Sequence, residues 1–162
     1  MKKIIIIGSP GSGKSTFARQ LSKKINVPLY HLDLLNWNAD KTVVNREIFI
    51  NRLLNILNSE AWIIDGNYGS TLEVRVKECD TIFFLDLPVD VCLNSIEERK
   101  GKARPDMPWI EEDNTDPEFL EFVKRYPYDS RPQVLALMKA YQDKAIFVFE
   151  SREEVNNYLM KL

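Results

Sequence analysis

Residues 8–15 read Gly8-Ser9-Pro10-Gly11-Ser12-Gly13-Lys14-Ser15, preceded by Ile4-Ile5-Ile6-Ile7 and followed by Thr16-Phe17-Ala18-Arg19-Gln20-Leu21. The order is apolar strand, glycine-rich turn, helix, and the spacing is G-x-x-x-x-G-K-S, the Walker A pattern. Glycines let successive backbone N–H groups turn inward around phosphate oxygens, where a Cβ would bar the conformation. The helix that starts here adds its unpaired N–H groups and the positive end of its dipole. Lys14 is placed to bridge β- and γ-phosphates, and the Ser15 hydroxyl to ligate Mg²⁺, with Thr16 beside it. The expected cofactors are therefore ATP and Mg²⁺. The expected binding residues are Gly8, Ser9, Pro10, Gly11, Ser12, Gly13, Lys14, Ser15 and Thr16. A plain glycine turn with an accidental lysine is the simpler alternative, but it leaves the full match in its strand–helix context unexplained.

Working outward, 162 residues with 44% apolar and 28% charged side chains suit one globular domain, 1–162, with a sizeable core. A net charge of −2 gives no basic footprint, which counts against a dedicated DNA binder without excluding a local basic patch. Cys79 and Cys92 have no C-x-x-C spacing and there is one histidine, so neither a disulfide framework nor a zinc site is expected. Reduced thiols in a cytoplasmic protein fit better. Four isoleucines are too few for a signal-peptide core, and no apolar run approaches membrane-spanning length.

Along the chain, buried strands are expected over residues 2–7, 27–32, 61–65, 81–86 and 145–149, each a short apolar run. Helices are expected from the glycine loop to about Lys24, over 43–58, from the capping-box pattern Ser70-Thr71-Leu72-Glu73, and from Pro88 to about Lys100. Others follow from Asp116-Pro117 to about Arg125, after Ser130, and after Ser151-x-x-Glu154. Residues 34–41 read as irregular and 101–116 as a loop. Strands alternating with helices behind a phosphate loop give a three-layer α/β/α P-loop NTPase fold with a five-stranded parallel sheet and a short lid insertion.

In such sheets ligands bind beyond the carboxyl ends of the strands. That rule gathers the glycine loop, Asp33 after the second strand and Asp65 after the third. Asp65 is expected to hold Mg²⁺ through a water or to orient an acceptor, the alternative being a turn-capping aspartate. Asp33 is the candidate for meeting an acceptor hydroxyl or phosphate as hydrogen-bond acceptor or general base, the alternative being a turn or helix-start residue. His31 reads as packed or hydrogen-bonded behind them, and Trp37 as either a stacking or a packing residue. Phosphoryl transfer also needs mobile positive charge. The basic stretch from Arg99 through Arg104, with Arg125 and Arg131 beyond it, marks a lid-like segment at about 99–131, unless it is simply a solvated charged loop. Arg99, Arg104 and Arg131 join Lys14, Asp33 and Asp65 as candidate catalytic residues. Arg46, Arg52 and Arg75 lie around an acceptor-side segment at about 33–60, where one of them could grip an acceptor phosphate.

On these residues the chain resembles the P-loop kinases of small molecules, the adenylate, shikimate and gluconate kinase group. Asp65-Gly66-Asn67-Tyr68 is similar to the D-G-F-P element after strand three of nucleoside monophosphate kinases, and Asp33 to the acceptor-directed aspartate of shikimate-type kinases. His31-Leu32-Asp33, Trp62-Ile63-Ile64-Asp65-Gly66-Asn67-Tyr68, Arg104-Pro105-Asp106-Met107 and Arg131-Pro132 together resemble the bacterial adenylate-kinase-related DNA topology modulation (FlaR-like) group. The chain departs from adenylate kinase where Asn67-Tyr68 replaces Phe-Pro-Arg, so the arginine expected there is missing unless Arg75 substitutes. The resemblance implies an ATP- and Mg²⁺-dependent phosphotransferase whose partners are a nucleoside triphosphate and a small acceptor: nucleotide, nucleoside or hydroxylated metabolite. The alternative is a nucleotide-switched regulator that binds DNA or a protein partner, with little or no kinase activity.

Overall fold

The structure, a computed structural model, describes residues 1–38, 40–100 and 116–162. Its strands are β1 (Lys3–Gly8), β2 (Leu29–His31), β3 (Trp62–Asp65), β4 (Thr81–Leu85) and β5 (Ala145–Phe149). The helices are α1 (Lys14–Ile25), α2 (Leu32–Asn36), α3 (Arg46–Leu57), α4 (Gly69–Glu78), α5 (Val89–Glu98), α6 (Pro117–Asp129), α7 (Arg131–Ala140) and α8 (Arg152–Lys161). The strands form one all-parallel sheet in the order β2-β3-β1-β4-β5. β1 is central, so the glycine loop leaves the sheet where the strand order reverses.

The two faces of the sheet explain the uninterrupted apolar runs. Along β1, Ile5 and Ile7 join Trp62, Ile64, Ile82 and Phe84 in one core, packed under α3, α4 and α7. Ile4 and Ile6 point the other way, joining Ile63, Phe83 and Leu85 under α1, α5 and α8. A strand with helices on both sides has no solvent face, so its period-two alternation carries no polar residues. Phe17 of α1 meets Phe83 edge-on at 5.0 Å and Phe149 at 5.8 Å, tying the first helix to β4 and β5. Among the described residues no helix is long and apolar enough to cross a membrane.

Several boundaries differ from the sequence reading. Residues 34–41 are not wholly irregular. The second strand stops at His31, and Leu32 opens the five-residue helix α2, closed by the Trp37 N–H bonding Asp33 O at 3.0 Å. Trp37 then forms an antiparallel bridge with Val43. Asp33 thus sits in the first turn of a helix and not at a strand end. α3 starts at Arg46, later than expected, because Asn45 Oδ1 accepts the Glu47 N–H at 2.8 Å and caps it there. α4 forms without the expected capping box. It begins at Gly69 behind Tyr68, which caps with no side-chain bond, and Ser70 Oγ instead faces the Arg46 guanidinium at 3.5 Å. α6 runs past Arg125 to Asp129 and carries Pro127 in its last turn. The Ser151 cap is formed as expected, Oγ accepting from the Glu154 N–H. Arg104 and the rest of 101–115 lie outside the described residues.

Candidate active site

The glycine loop is seated by contact with its neighbours. Gly8 lies flat on β4, where a Cβ would stand 2.7 Å from Leu85 O. Gly11, at φ +82°, backs onto α5 so closely that a Cβ would overlap the Cys92 carbonyl. Within the loop, Ser9 O accepts both the Ser12 N–H at 3.0 Å and the Lys14 ammonium at 3.3 Å. These are donors of the kind that a phosphate oxygen, with its greater charge, attracts more strongly. The Ser12 hydroxyl is buried with no hydrogen-bond partner among the described residues. Ser15 Oγ accepts from Arg19 Nη1 at 2.7 Å, and Thr16 Oγ1 from Arg19 Nη2 at 3.3 Å. The hydroxyl expected to ligate a cation therefore has an arginine one helical turn behind it.

From the loop a chain of contacts leads to the second and third strand ends. The Gly8 N–H donates to Asn67 Oδ1 at 3.4 Å. Next in the chain, Tyr68 donates its hydroxyl to Asp33 Oδ1 at 2.5 Å and accepts from Trp37 Nε1 at 3.0 Å and Asn36 Nδ2 at 3.4 Å. Its ring packs 5.5 Å from Phe49. Burial, then the Asp33 charge, then the hydrogen bond to that carboxylate push the phenol far above its usual range, so it stays a neutral donor. Tyr68 is the residue that the sequence reading quoted without giving it a role.

Beneath this lies a buried polar layer. His31 and Asp65 are register partners across β2 and β3, and His31 Nδ1 lies 2.9 and 2.8 Å from the two Asp65 oxygens, both residues buried. His31 is thus hydrogen-bonded behind the site, as expected. Arg75 is fully buried. Its guanidinium donates to Gly66 O at 3.2 Å, Asn67 O at 2.6 Å, Tyr68 O at 3.1 Å and Thr71 Oγ1 at 3.2 Å. Arg75 therefore does not substitute for the missing arginine. It is turned inward, folding the 66–68 turn around itself, and no acceptor phosphate can reach it. Arg52 is likewise turned to Leu35 O at 3.0 Å.

The lid-side residues fall into three places. Arg131, at the start of α7, grips Asp86 through Nε (3.0 Å to each oxygen) and Nη2 (2.9 Å). That aspartate follows β4, beside the strand end where Leu85 pairs with Gly8. Arg99 ends α5 with its N–H on Ser95 O at 3.2 Å. Arg104 is outside the described residues. The glycine loop, Asp33 and Asp65 are thus brought together at the carboxyl end of the sheet, with Arg131 one strand further along. Sequence reasoning also missed Asp86 and Arg152. Asp86 directly follows β4, so the rule that made a candidate of Asp65 would have found it, whereas Arg152 stands past Glu150 and Ser151 at the start of α8 and the rule does not single it out.

The family model described as "ATPase family associated with various cellular activities (AAA)" matches residues 4–86, half of the chain, from β1 through β4. The chain belongs to this family. Within its P-loop architecture the relatives are small-molecule kinases. An adenylate kinase of Pseudothermotoga lettingae is 30% identical over 86 residues, 52% of this chain and 38% of that protein. A shikimate kinase of Rhodococcus jostii is 27% identical over 103 residues, 54% of this chain and 60% of that protein. An adenylate kinase of Bartonella quintana is 31% identical over 87 residues, 52% and 43%. The matches thus span 38% to 60% of the relatives' own lengths. They place the chain in the P-loop small-molecule kinase superfamily, and the part that the family model matches holds the glycine loop, Asp33, Asp65 and Asp86.

Proposed function

We propose that the protein transfers the γ-phosphoryl group of ATP to a hydroxyl of a small acceptor, with Mg²⁺. The observation that carries this reading is the path from Gly8, hydrogen-bonded to Asn67, along the chain to Tyr68, which is hydrogen-bonded to Asp33. It supports a reading in which residues 8–15 cradle phosphate beside a held carboxylate at the carboxyl end of the sheet. Gly8 to Gly13, Lys14, Ser15 and Thr16 bind the triphosphate. Asp33 takes the proton from the acceptor oxygen as that oxygen bonds to the γ-phosphorus and the bond to the β-phosphate oxygen breaks, leaving ADP. Tyr68 orients Asp33 by its hydrogen bond. Lys14, with Arg99, Arg104 or Arg131, balances the charge on the moving group.

The residues present fit a Mg²⁺ ion held mainly by nucleotide. Mg²⁺ in such sites takes one or two protein oxygens and otherwise water and phosphate. Ser15 Oγ would supply one, and Asp65, engaged by His31, would act through a water or orient the acceptor. When bound, the ion neutralises charge on the phosphates. The inward turn of Arg75 favours an acceptor recognised by its hydroxyl over one gripped by a phosphate.

The test is transfer of label from γ-labelled ATP, with Mg²⁺, to a panel of nucleoside monophosphates, nucleosides and hydroxylated metabolites, with Lys14→Ala as control. Label in one acceptor, lost in Lys14→Ala, is the expected result. Only slow, acceptor-independent phosphate release would overturn the kinase reading and favour the nucleotide-switched regulator.

A further inference from the structure

The glycine loop has an outer wall as well as an inner one, and a cation belongs to it. Arg152 is the first residue of α8, just past β5. Its Nη2 donates to Gly11 O at 3.1 Å and its Nη1 to Ser12 O at 3.4 Å, across more than 139 residues of sequence. Nη2 also contacts Ser95 Oγ of α5, whose hydroxyl is bonded back to Val91 O at 3.1 Å. Gly13 is pressed against the same guanidinium, and a Cβ there would stand 2.8 Å from Nη1. Among the described residues no carboxylate lies within ion-pair distance of Arg152. Arg19, Arg46, Arg52 and Arg75 are turned to hydroxyls or carbonyls, and Arg131 to Asp86. A guanidinium shared between two carbonyls and a hydroxyl balances no charge.

We infer that Arg152 is a positioning residue of the nucleotide site and that its counter-charge is the bound phosphate chain. The inference rests on the reading of residues 8–15 as a triphosphate loop. In a trans peptide the C=O and N–H point in opposite directions. Holding Gly11 O and Ser12 O from outside therefore turns the N–H groups of Ser12 and Gly13 to the inner side, where Ser12 N–H already meets Ser9 O. The fork geometry of arginine suits two neighbouring carbonyls, whereas the single ammonium of lysine satisfies them only in part. The charge itself lies one peptide thickness behind the loop, close enough to attract phosphate across it, although Arg152 is exposed and solvent screens part of that attraction.

The experiment is calorimetric binding of Mg·ATP, and separately of inorganic tripolyphosphate, to the wild-type chain, Arg152→Ala and Arg152→Lys, with amide spectra of residues 9–15. Arg152→Ala is expected to weaken both ligands by about tenfold or more, with Arg152→Lys between it and wild type, and to move the Ser12 and Gly13 amide resonances. Loss for ATP with unchanged tripolyphosphate binding would place Arg152 at the nucleoside and overturn the inference, as would unchanged binding of both. Should Arg152→Ala fail to fold, Ser95→Ala, which removes only the hydroxyl seating the guanidinium, is expected to weaken tripolyphosphate binding severalfold, and equal binding overturns the inference. Failure of the wild-type chain to bind either ligand would sink the triphosphate-loop reading itself.

Discussion

Replacing Arg75 by methionine sets two large effects against each other. Burial pulls this guanidinium down to about 10, the nearby Asp65 charge opposing that only in part. It remains charged at neutral pH, but burial biases against that charge by roughly 3 kcal/mol, a cost that methionine does not bear. On the other side, Gly66 O and Asn67 O lose their arginine donors, at about 1–3 kcal/mol each if they stay buried. Tyr68 O is spared because the Thr71 N–H and hydroxyl also reach it, at 3.0 and 3.1 Å. The net effect is therefore small, between a gain of about 1 and a loss of about 3 kcal/mol, the loss amounting at most to about 10 °C in melting temperature.

The conformational effect is the larger one. Tyr68 sits at φ +27°, ψ 73°, in left-handed territory that a bulky residue occupies only when its surroundings hold it there. Without the guanidinium inside the turn, Tyr68 relaxes and its hydroxyl leaves Trp37 and Asp33. Urea unfolding gives the stability, and the indole N–H resonance of Trp37, 3.0 Å from Tyr68 Oη, reports the geometry. A modest stability change with a displaced Trp37 resonance is expected. A loss above about 5 kcal/mol with that resonance unmoved would refute the argument, because Arg75 would then be a stability element and not the former of the turn.

Four further outcomes follow from the same geometry. Gly11→Ala, which must hold φ +82° and displace the Cys92 carbonyl, is expected to lower Mg·ATP affinity about tenfold or more by calorimetry. Tyr68→Phe removes the donor to Asp33 and the acceptor for Trp37, and should cost about 1–3 kcal/mol in urea unfolding while Phe49 still packs on the ring. Burial pushes the Cys79 thiol up to about 11 from an unfolded value near 9, and raises Cys92 in the same direction. The folded state therefore keeps protons that the unfolded state releases. This contribution to stability is full below about pH 9 and falls as pH rises toward 11, which unfolding curves across that range would register. Both thiols should also react with a disulfide reagent at pH 8 only at the rate of unfolding.

The elements that could be read from sequence are those whose cause is local. β5 was expected over Ala145–Phe149 and lies there, because an apolar run between a polar turn and a capping serine has no other register to take. The phosphate loop was legible for the same reason, its glycines standing where Leu85 and Cys92 leave no room for a Cβ. α2 was not legible. Val27 to Leu32 reads as one apolar strand, and a five-residue helix is too short to show a helical period. What turns the chain at His31 is the buried seat of Leu32 and the Asp65 carboxylate in the next strand, both tertiary. The capping box at Ser70 failed similarly, since the start of α4 is fixed by the arginine folded inside the preceding turn. Arg131 with Asp86 and Arg152 with Gly11 are partners 45 and 141 residues apart, and no spacing rule joins them.

The two sides of the site are consequently held by different physics. On the nucleotide side the backbone is pressed against its neighbours at Gly8 and Gly11, where any side chain is an obstruction. At the 66–68 turn the backbone is held by side chains, Arg75 from within and Tyr68 against Asp33 and Trp37 from without. Among the described hydrogen bonds, the direct link between the two is the Gly8 N–H on Asn67 Oδ1, a long one at 3.4 Å. Bonds of that length transmit little, so residues 67 and 68 can change character without unseating the phosphate loop. That is where this chain carries Asn-Tyr against the Phe-Pro-Arg of adenylate kinase. On the proposed kinase reading, the 66–68 turn can therefore change acceptor while the loop goes on holding the same nucleotide.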